Sequence, residues 1–258
     1  MARGKKQSQN YELAECMCVD LSNYVVQANL LILSKQNMSL KAMKLIRLAI
    51  MQIKPADKEL RTYKISVKEL ADILDVNANN LYSCLPEVTK EMMKSLLEIE
   101  DQTTTRFKYY NWTAICEYVP DDGLYIQLSD KLKPLLLNLR NHYTQYPLEA
   151  VVKMKSEYSI RFFELILAKI NCQVLPLNGL DIYLSLSEIR NVCGCNSKMY
   201  GEFSKIKQKV IDKAISEVDR WTTYRITYSK ENYLKQNRSV VGITFNVNMV
   251  YHVAENSS

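Results

Sequence analysis

The chain has 258 residues, 47% of them hydrophobic and 24% charged, with a formal net charge of +6. This is the composition of a folded globular protein with one large or two small domains, and it excludes a disordered or fibrous chain. Six glycines and the absence of any GxGxxG or GxxxxGK[ST] pattern exclude a phosphate-cradling loop.

In chain order, "MARGKKQSQN" is basic and polar with no apolar signal core behind it, so residues 1–20 are expected to form a flexible tail, with 252–258 a second one. "YVVQANLLIL" is interrupted by Gln27 and Asn29. It falls short of the roughly 20 apolar residues of a membrane span. No membrane partner is expected, and the location is expected to be cytoplasmic. "SLKAMKLIRLAIMQI" has helical period with Ser39 as N-cap. "TYKIS" reads as a strand, and "SVKELADILDV" as a short helix with Val67, Leu70, Ile73 and Leu74 on one face. "NANNLYSCLPEVTKEMMKSLLEIE" reads as a longer helix, kinked or restarted by Pro86. "RFKYYNWTAICEYV" alternates with a break near Asn111, "PDDG" is a turn, and "LYIQL" alternates again. "SDKLKPLLLNLRNHY" reads as a helix capped by Ser129.

The second half repeats this order. A long helix covers about 148–171, "DIYLS" is a strand, and "SLSEIRNVCGC" is a short helix. "KMYGEFSKIKQKVIDKAISEV" is a long helix, and "TYRITY" and "VVGITFNV" are strands around a polar loop, "SKENYLKQNR". At an offset of 119, Ile65 falls on Leu184, Val67 on Leu186, Glu69 on Glu188, Leu70 on Ile189 and Asn77 on Asn196. Met92 falls on Ile211, Leu96 on Ile215 and Ile99 on Val218. Helix, strand, short helix, long helix and hairpin in each half predict an α+β fold of two tandem winged-helix domains related by internal duplication. The expected bounds are 21–147 and 148–251. From residue 150 onward there are 15 Lys/Arg against 10 Asp/Glu, so the basic excess sits in the second half and points to a polyanionic partner.

No catalytic constellation is visible. The two histidines, His142 and His252, have no acid or thiol at ligand or triad spacing. The 17 tyrosines are not joined by the His cluster that a rolling-circle nicking enzyme requires. Cys16/Cys18 and Cys193/Cys195 lack zinc-knuckle spacing, and the odd count of seven reads as reduced thiols. No metal or cofactor is expected.

The long helix of the second half carries the functional expectation. Phe203, Ile206, Val210, Ala214 and Val218 form its apolar stripe, extended by Tyr200. Lys205, Gln208, Lys209 and Asp212 lie opposite. Amides and cations suit major-groove edges and phosphates, although a charged face is more often only solvated. Lys198 and Ser204 join this set at the helix start. Lys207 falls in the phase of the stripe, so it either snorkels past the core or meets phosphate. Lys230, Lys235 and Arg238 occupy the expected wing. Arg161 sits in the apolar run "SEYSIRFFELILAKI" on a strip with Glu157 and Glu164. It is either an ion-pair brace, with Glu157 in the favourable order, or a phosphate contact.

Several blocks resemble the iteron-binding plasmid replication initiator (Rep) proteins. They are "VVQANLLI" with "SLKAMKLIRLAIMQI", the stretch from "WTAICEYV" through residues 135–139, Tyr143, Thr144 and Tyr146 to Ser156, Tyr158, Ser159 and Arg161, and the spacing in "YGEFSKIKQKVIDKAISEV". The resemblance implies an opening strand and helix, a second domain whose long helix reads directly repeated origin sites, and a first domain that adds backbone contacts and the dimer interface. It implies that monomers open the origin, that dimers repress, and that host initiator and helicase proteins take over. Two departures stand out. Many members have paired arginines where this chain has Gln208 and Lys209. Many have a tight Lys-Gly-Arg wing turn where this chain has a longer "LKQNR" loop, in which Arg238 keeps its place. The rival readings are a winged-helix transcriptional regulator without initiator activity and a nicking enzyme.

Overall fold

The computed structural model describes residues 24–101, 106–195 and 200–250. The two expected tails, Cys16/Cys18, Asn196 and His252 lie outside them. β1 (Tyr24–Ala28) leads through α1 (Asn29–Leu33) and β2 (Lys35–Gln36) into α2 (Leu40–Met51). Ser39 caps α2 as expected, its hydroxyl accepting from the Ala42 amide. Then come β3 (Thr62–Ser66), α3 (Val67–Leu74), α4 (Leu81–Lys94), β4 (Leu96–Asp101), β5 (Arg106–Asn111), β6 (Thr113–Val119) and β7 (Gly123–Leu128). The strands β3, β7 and β6 form one antiparallel sheet, and β2, β4 and β5 a second. Helices α2, α3 and α4 with the β6–β7 hairpin make a winged helix.

A 3-10 turn and α5 (Lys133–Leu136) lead to β8 (Tyr143–Pro147), α6 (Leu148–Val152) and α7 (Glu157–Ile170). The second winged helix continues with β9 (Leu180–Ser185), α8 (Leu186–Cys193) and α9 (Phe203–Ile206). A π-helical segment (Lys207–Asp212) joins α9 to α10 (Lys213–Trp221). Then follow β10 (Tyr224–Thr227), β11 (Tyr233–Gln236) and β12 (Ser239–Met249). β12 pairs with β9 along one edge, and with β11 and β10 in succession along the other.

The duplication holds at the level of strand register. Ser66 pairs with Gly123 in the first sheet, and Ser185 pairs with Gly242 in the second, each shifted by the same offset. Both serines cap the following helix, accepting from the Glu69 and Glu188 amides. Gly123 has φ +150, and a Cβ there would lie 2.2 Å from the Ile65 carbonyl oxygen. The two duplicated strands β1 and β8 also pair with each other, Tyr24 against Pro147 and Ala28 against Tyr143. Each residue thus faces the duplicate of its partner's mirror position, as a local two-fold axis requires. Around this ladder α1 packs on α7, and its counterpart α6 packs on α2.

Four expectations are corrected. The first long helix stops at Lys94, and residues 96–101 are strand β4, so Leu96 and Ile99 are not counterparts of the helical Ile215 and Val218. The closing helix at 129–143 shrinks to a 3-10 turn and four helical residues, because Asn138 and His142 take left-handed backbone and Tyr143 enters the β1 ladder. The helix at 148–171 is two helices, with Ser156 in extended conformation before the second. Finally, "SKENYLKQNR" is not a loop: it holds β11 and a two-residue turn.

Candidate DNA interface

The long helix of the second domain is amphipathic in an unusual phase. Ile206, Val210, Ala214 and Val218 are all fully buried at steps of four residues. On a regular α-helix such a run drifts by about 120° over its length. The π segment, with its wider turn, removes the drift. Within it the Lys207 Nζ lies 2.7 Å from Asp212 Oδ2, a pairing of residues five apart. Lys207 therefore neither snorkels freely nor projects as an unpaired cation. Asp212, expected on the outer face, turns inward to Lys207 and to the Tyr228 hydroxyl. Burial and that bond to Asp212 push the Tyr228 phenol well above its ordinary range.

With Asp212 turned in, the outer face carries Ser204, Lys205, Gln208 and Lys209, all exposed, and also Lys213. Lys213 was missed by the regular-helix reading. The signal for it was the spacing of Lys205, Lys209 and Lys213, which runs parallel to Ile206, Val210 and Ala214. Among the described residues Lys209 and Lys213 have no ion-pair partner, while Lys205 lies 3.8 Å from Glu202. Lys198 lies outside the described residues.

The wing is attached to this helix by rings. Phe203 meets Tyr233 of β11 edge-on at 5.2 Å, and Tyr228 packs on Phe245 of β12 at 5.3 Å. β11 and β12 are joined by Asn237 and Arg238, with φ 48 and 66. Two successive left-handed residues are the signature of a tight type I′ hairpin turn, where Asn-Gly is the usual pair. The turn is therefore two residues long, contrary to the longer loop expected. An arginine in a left-handed position where glycine is favoured costs local stability. Lys230, Lys235 and Arg238 are all exposed along this hairpin and the turn before it. The equivalent turn of the first domain carries Asp121 and Asp122 instead, so the two wings have opposite charge.

Arg161 is not part of this surface. Its side chain is 1% exposed. Its guanidinium donates to Glu164 at 2.9 Å, to the carbonyls of Ile32 and Ser34 at 2.5 and 2.9 Å, and to that of Val192 at 3.1 Å. The expectation of a phosphate contact is corrected: the side chain is buried with its donors bonded to protein, and its ionic partner is Glu164 rather than Glu157. Glu164 is fully buried and also accepts a fork from Arg47 of α2, at 2.7 and 3.0 Å. Gln27 at 2.8 Å and the Tyr146 hydroxyl complete its shell. Burial would raise this carboxyl, but the two guanidiniums overcome it and hold it at about 2. Arg47 was not singled out from the sequence; a cation in the fully buried phase of α2 was the available signal. Cys193 and Cys195 are buried at the end of α8, both thiols pushed up by burial, and the described residues contain no group of three or more metal-ligating side chains. No helix among the described residues is long and apolar enough to cross a membrane.

The fold and this helix-and-wing surface define the class: a protein of two winged-helix domains. The family described as "Initiator Replication protein, WH1" matches residues 24–167, and its companion "Initiator Rep protein, WH2" matches residues 185–247. The chain belongs to this replication initiator family. It is 22% identical over 210 residues to a replication initiation protein of Escherichia coli, an overlap covering 80% of this chain and 65% of that relative. The chain thus spans slightly under two thirds of the relative's length. Its fold matches the crystal structure of Pi initiator protein in complex with iteron DNA, with a TM-score of 0.70 at 18% identity, over 90% of this chain and 99% of that one.

Proposed function

We propose that this protein is a plasmid replication initiator that binds directly repeated origin sites in double-stranded DNA and promotes opening of the origin. The observation that carries the reading is the outer helix face of Lys205, Gln208, Lys209 and Lys213 beside a wing whose tip places Arg238 in a left-handed turn. Gln208 suits adenine and Lys209 suits guanine or phosphate, while Ser204, Lys205, Lys213, Lys230, Lys235 and Arg238 supply backbone contacts. Family membership and the iteron complex of the structural neighbour favour an initiator over a plain transcriptional regulator. The 21–147 and 148–251 division, a non-enzymatic role, action in the bacterial cytoplasm, self-association through the first domain, repression by the dimer and transfer to host initiator and helicase proteins belong to the same reading.

Footprinting the purified protein on the DNA flanking its gene tests it. Protection of direct repeats beside an A·T-rich stretch is the expected result, with affinity falling by about 0.9 log units per log unit of salt for each phosphate contacted. Equal binding to repeats and to random duplex would overturn it. Protection of one palindrome, with no replication from a small replicon carrying only this gene and its flanks, would favour the regulator.

A further inference from the structure

The π segment places one charged residue where it can control the reading face without touching DNA. On a regular α-helix, residues five apart point about 140° away from each other. Lys207 and Asp212 therefore meet, at 2.7 Å, because the turn between them is wide. Asp212 is also bonded by the Tyr228 hydroxyl, and Lys207 Nζ lies 5.6 Å from the centre of the Tyr228 ring. Tyr228 packs against Tyr233 of the wing at 6.0 Å and Phe245 at 5.3 Å. One carboxylate thus ties the middle of the helix to the base of the wing. Gln208 and Lys209 lie inside the segment it closes.

We propose that Asp212 is a positioning residue for sequence reading: with Lys207 and Tyr228 it fixes the rotation of Gln208 and Lys209 relative to the wing. The inference rests on the DNA-reading function proposed above. If the segment relaxes to regular α-helix, the two ends of the helix rotate against each other by about 100°, the angle of one residue. Lys205 and the wing can then sit on phosphates only with Gln208 and Lys209 turned away from their bases. A role in stability alone makes no such prediction about base choice.

The test uses Asp212→Asn, which keeps the shape and removes the charge, and Tyr228→Phe, which keeps the ring and removes the hydroxyl. Each full-length protein selects from a pool of random-sequence duplex, and is then titrated with the wild-type-selected duplex and with random duplex at one salt concentration. The affinity ratio of selected to random duplex is expected to fall about ten-fold or more in both variants. Affinity for random duplex should hold in Tyr228→Phe and hold or rise in Asp212→Asn, since removing a carboxylate beside a polyanion strengthens binding uniformly. Base preferences should flatten or shift at the positions that Gln208→Ala also affects. Variants that select the same bases with the wild-type ratio would overturn the inference. Wild-type protein that selects no sequence would instead refute the DNA-reading function, a separate outcome. Should Asp212→Asn fail to fold, Tyr228→Phe alone decides.

Discussion

Replacing Glu164 by alanine should weaken the whole molecule more than any surface change. The carboxylate sits between Arg47 of α2 and Arg161 of α7, all three essentially without exposure. Its removal leaves two buried guanidiniums facing each other with no anion. Breaking a buried pair by deleting one partner costs about 3–5 kcal/mol, a large part of the roughly 5–15 kcal/mol that holds a domain folded. Burial would raise the Glu164 carboxyl, but Arg47 and Arg161 hold it below its ordinary range, at about 2, so part of this stability depends on pH. Because the folded value is the lower one, this stability is complete above pH 4.5 and is lost as pH falls from there towards 2. Urea unfolding near neutral pH should show the loss of about 3–5 kcal/mol for Glu164→Ala. Glu164→Gln should lack the acid-dependent component that the wild type shows. A loss under about 1 kcal/mol, or identical acid profiles for wild type and Glu164→Gln, would refute the reasoning.

Gln208→Ala should lower discrimination between the selected site and random duplex by about 1–3 kcal/mol, read from parallel binding titrations. Arg238→Gly should separate function from fold: the left-handed turn position gains up to about 1 kcal/mol in a thermal melt, while affinity falls evenly for all sequences and the salt slope drops by about 0.9. Gly123→Ala should destabilise by more than about 1 kcal/mol, and by more than Gly242→Ala, since the obstacle is the Ile65 backbone in the first case and the Tyr183 ring in the second; differential scanning calorimetry ranks them.

The two winged helices were legible because their signals are local. Ser66 with Glu69 and Ser185 with Glu188 mark helix starts within four residues, and the β7 and β12 strands alternate plainly. β8 was hidden because "YTQYP" becomes a strand only by pairing with Tyr24–Ala28, far away in the chain. β11 was hidden because its outer residues Leu234, Lys235 and Gln236 are exposed and carry no alternation. The helix face was half legible: a constant 100° rotation finds Gln208 and Lys209 but misplaces Asp212 and loses Lys213, because the π segment changes the period. Arg161 was recognised as anomalous, but its environment was not, since Arg47 lies 117 positions from Glu164 and no local rule connects them.

The pairing of β1 with β8 has a consequence for how the protein survives dilution. Two separate copies of the ancestral unit, joined by this same two-fold seam, would part as their concentration fell. Fusion in one chain turns that encounter into a neighbour's contact with a fixed effective concentration. With the halves held together, their corresponding positions need not stay alike: Ala42 and Leu45 in the first half stand where Arg161 and Glu164 stand in the second, and one hairpin tip carries Asp121 and Asp122 where the other carries Arg238. The seam needs no encounter to form, so it holds at any concentration of the protein.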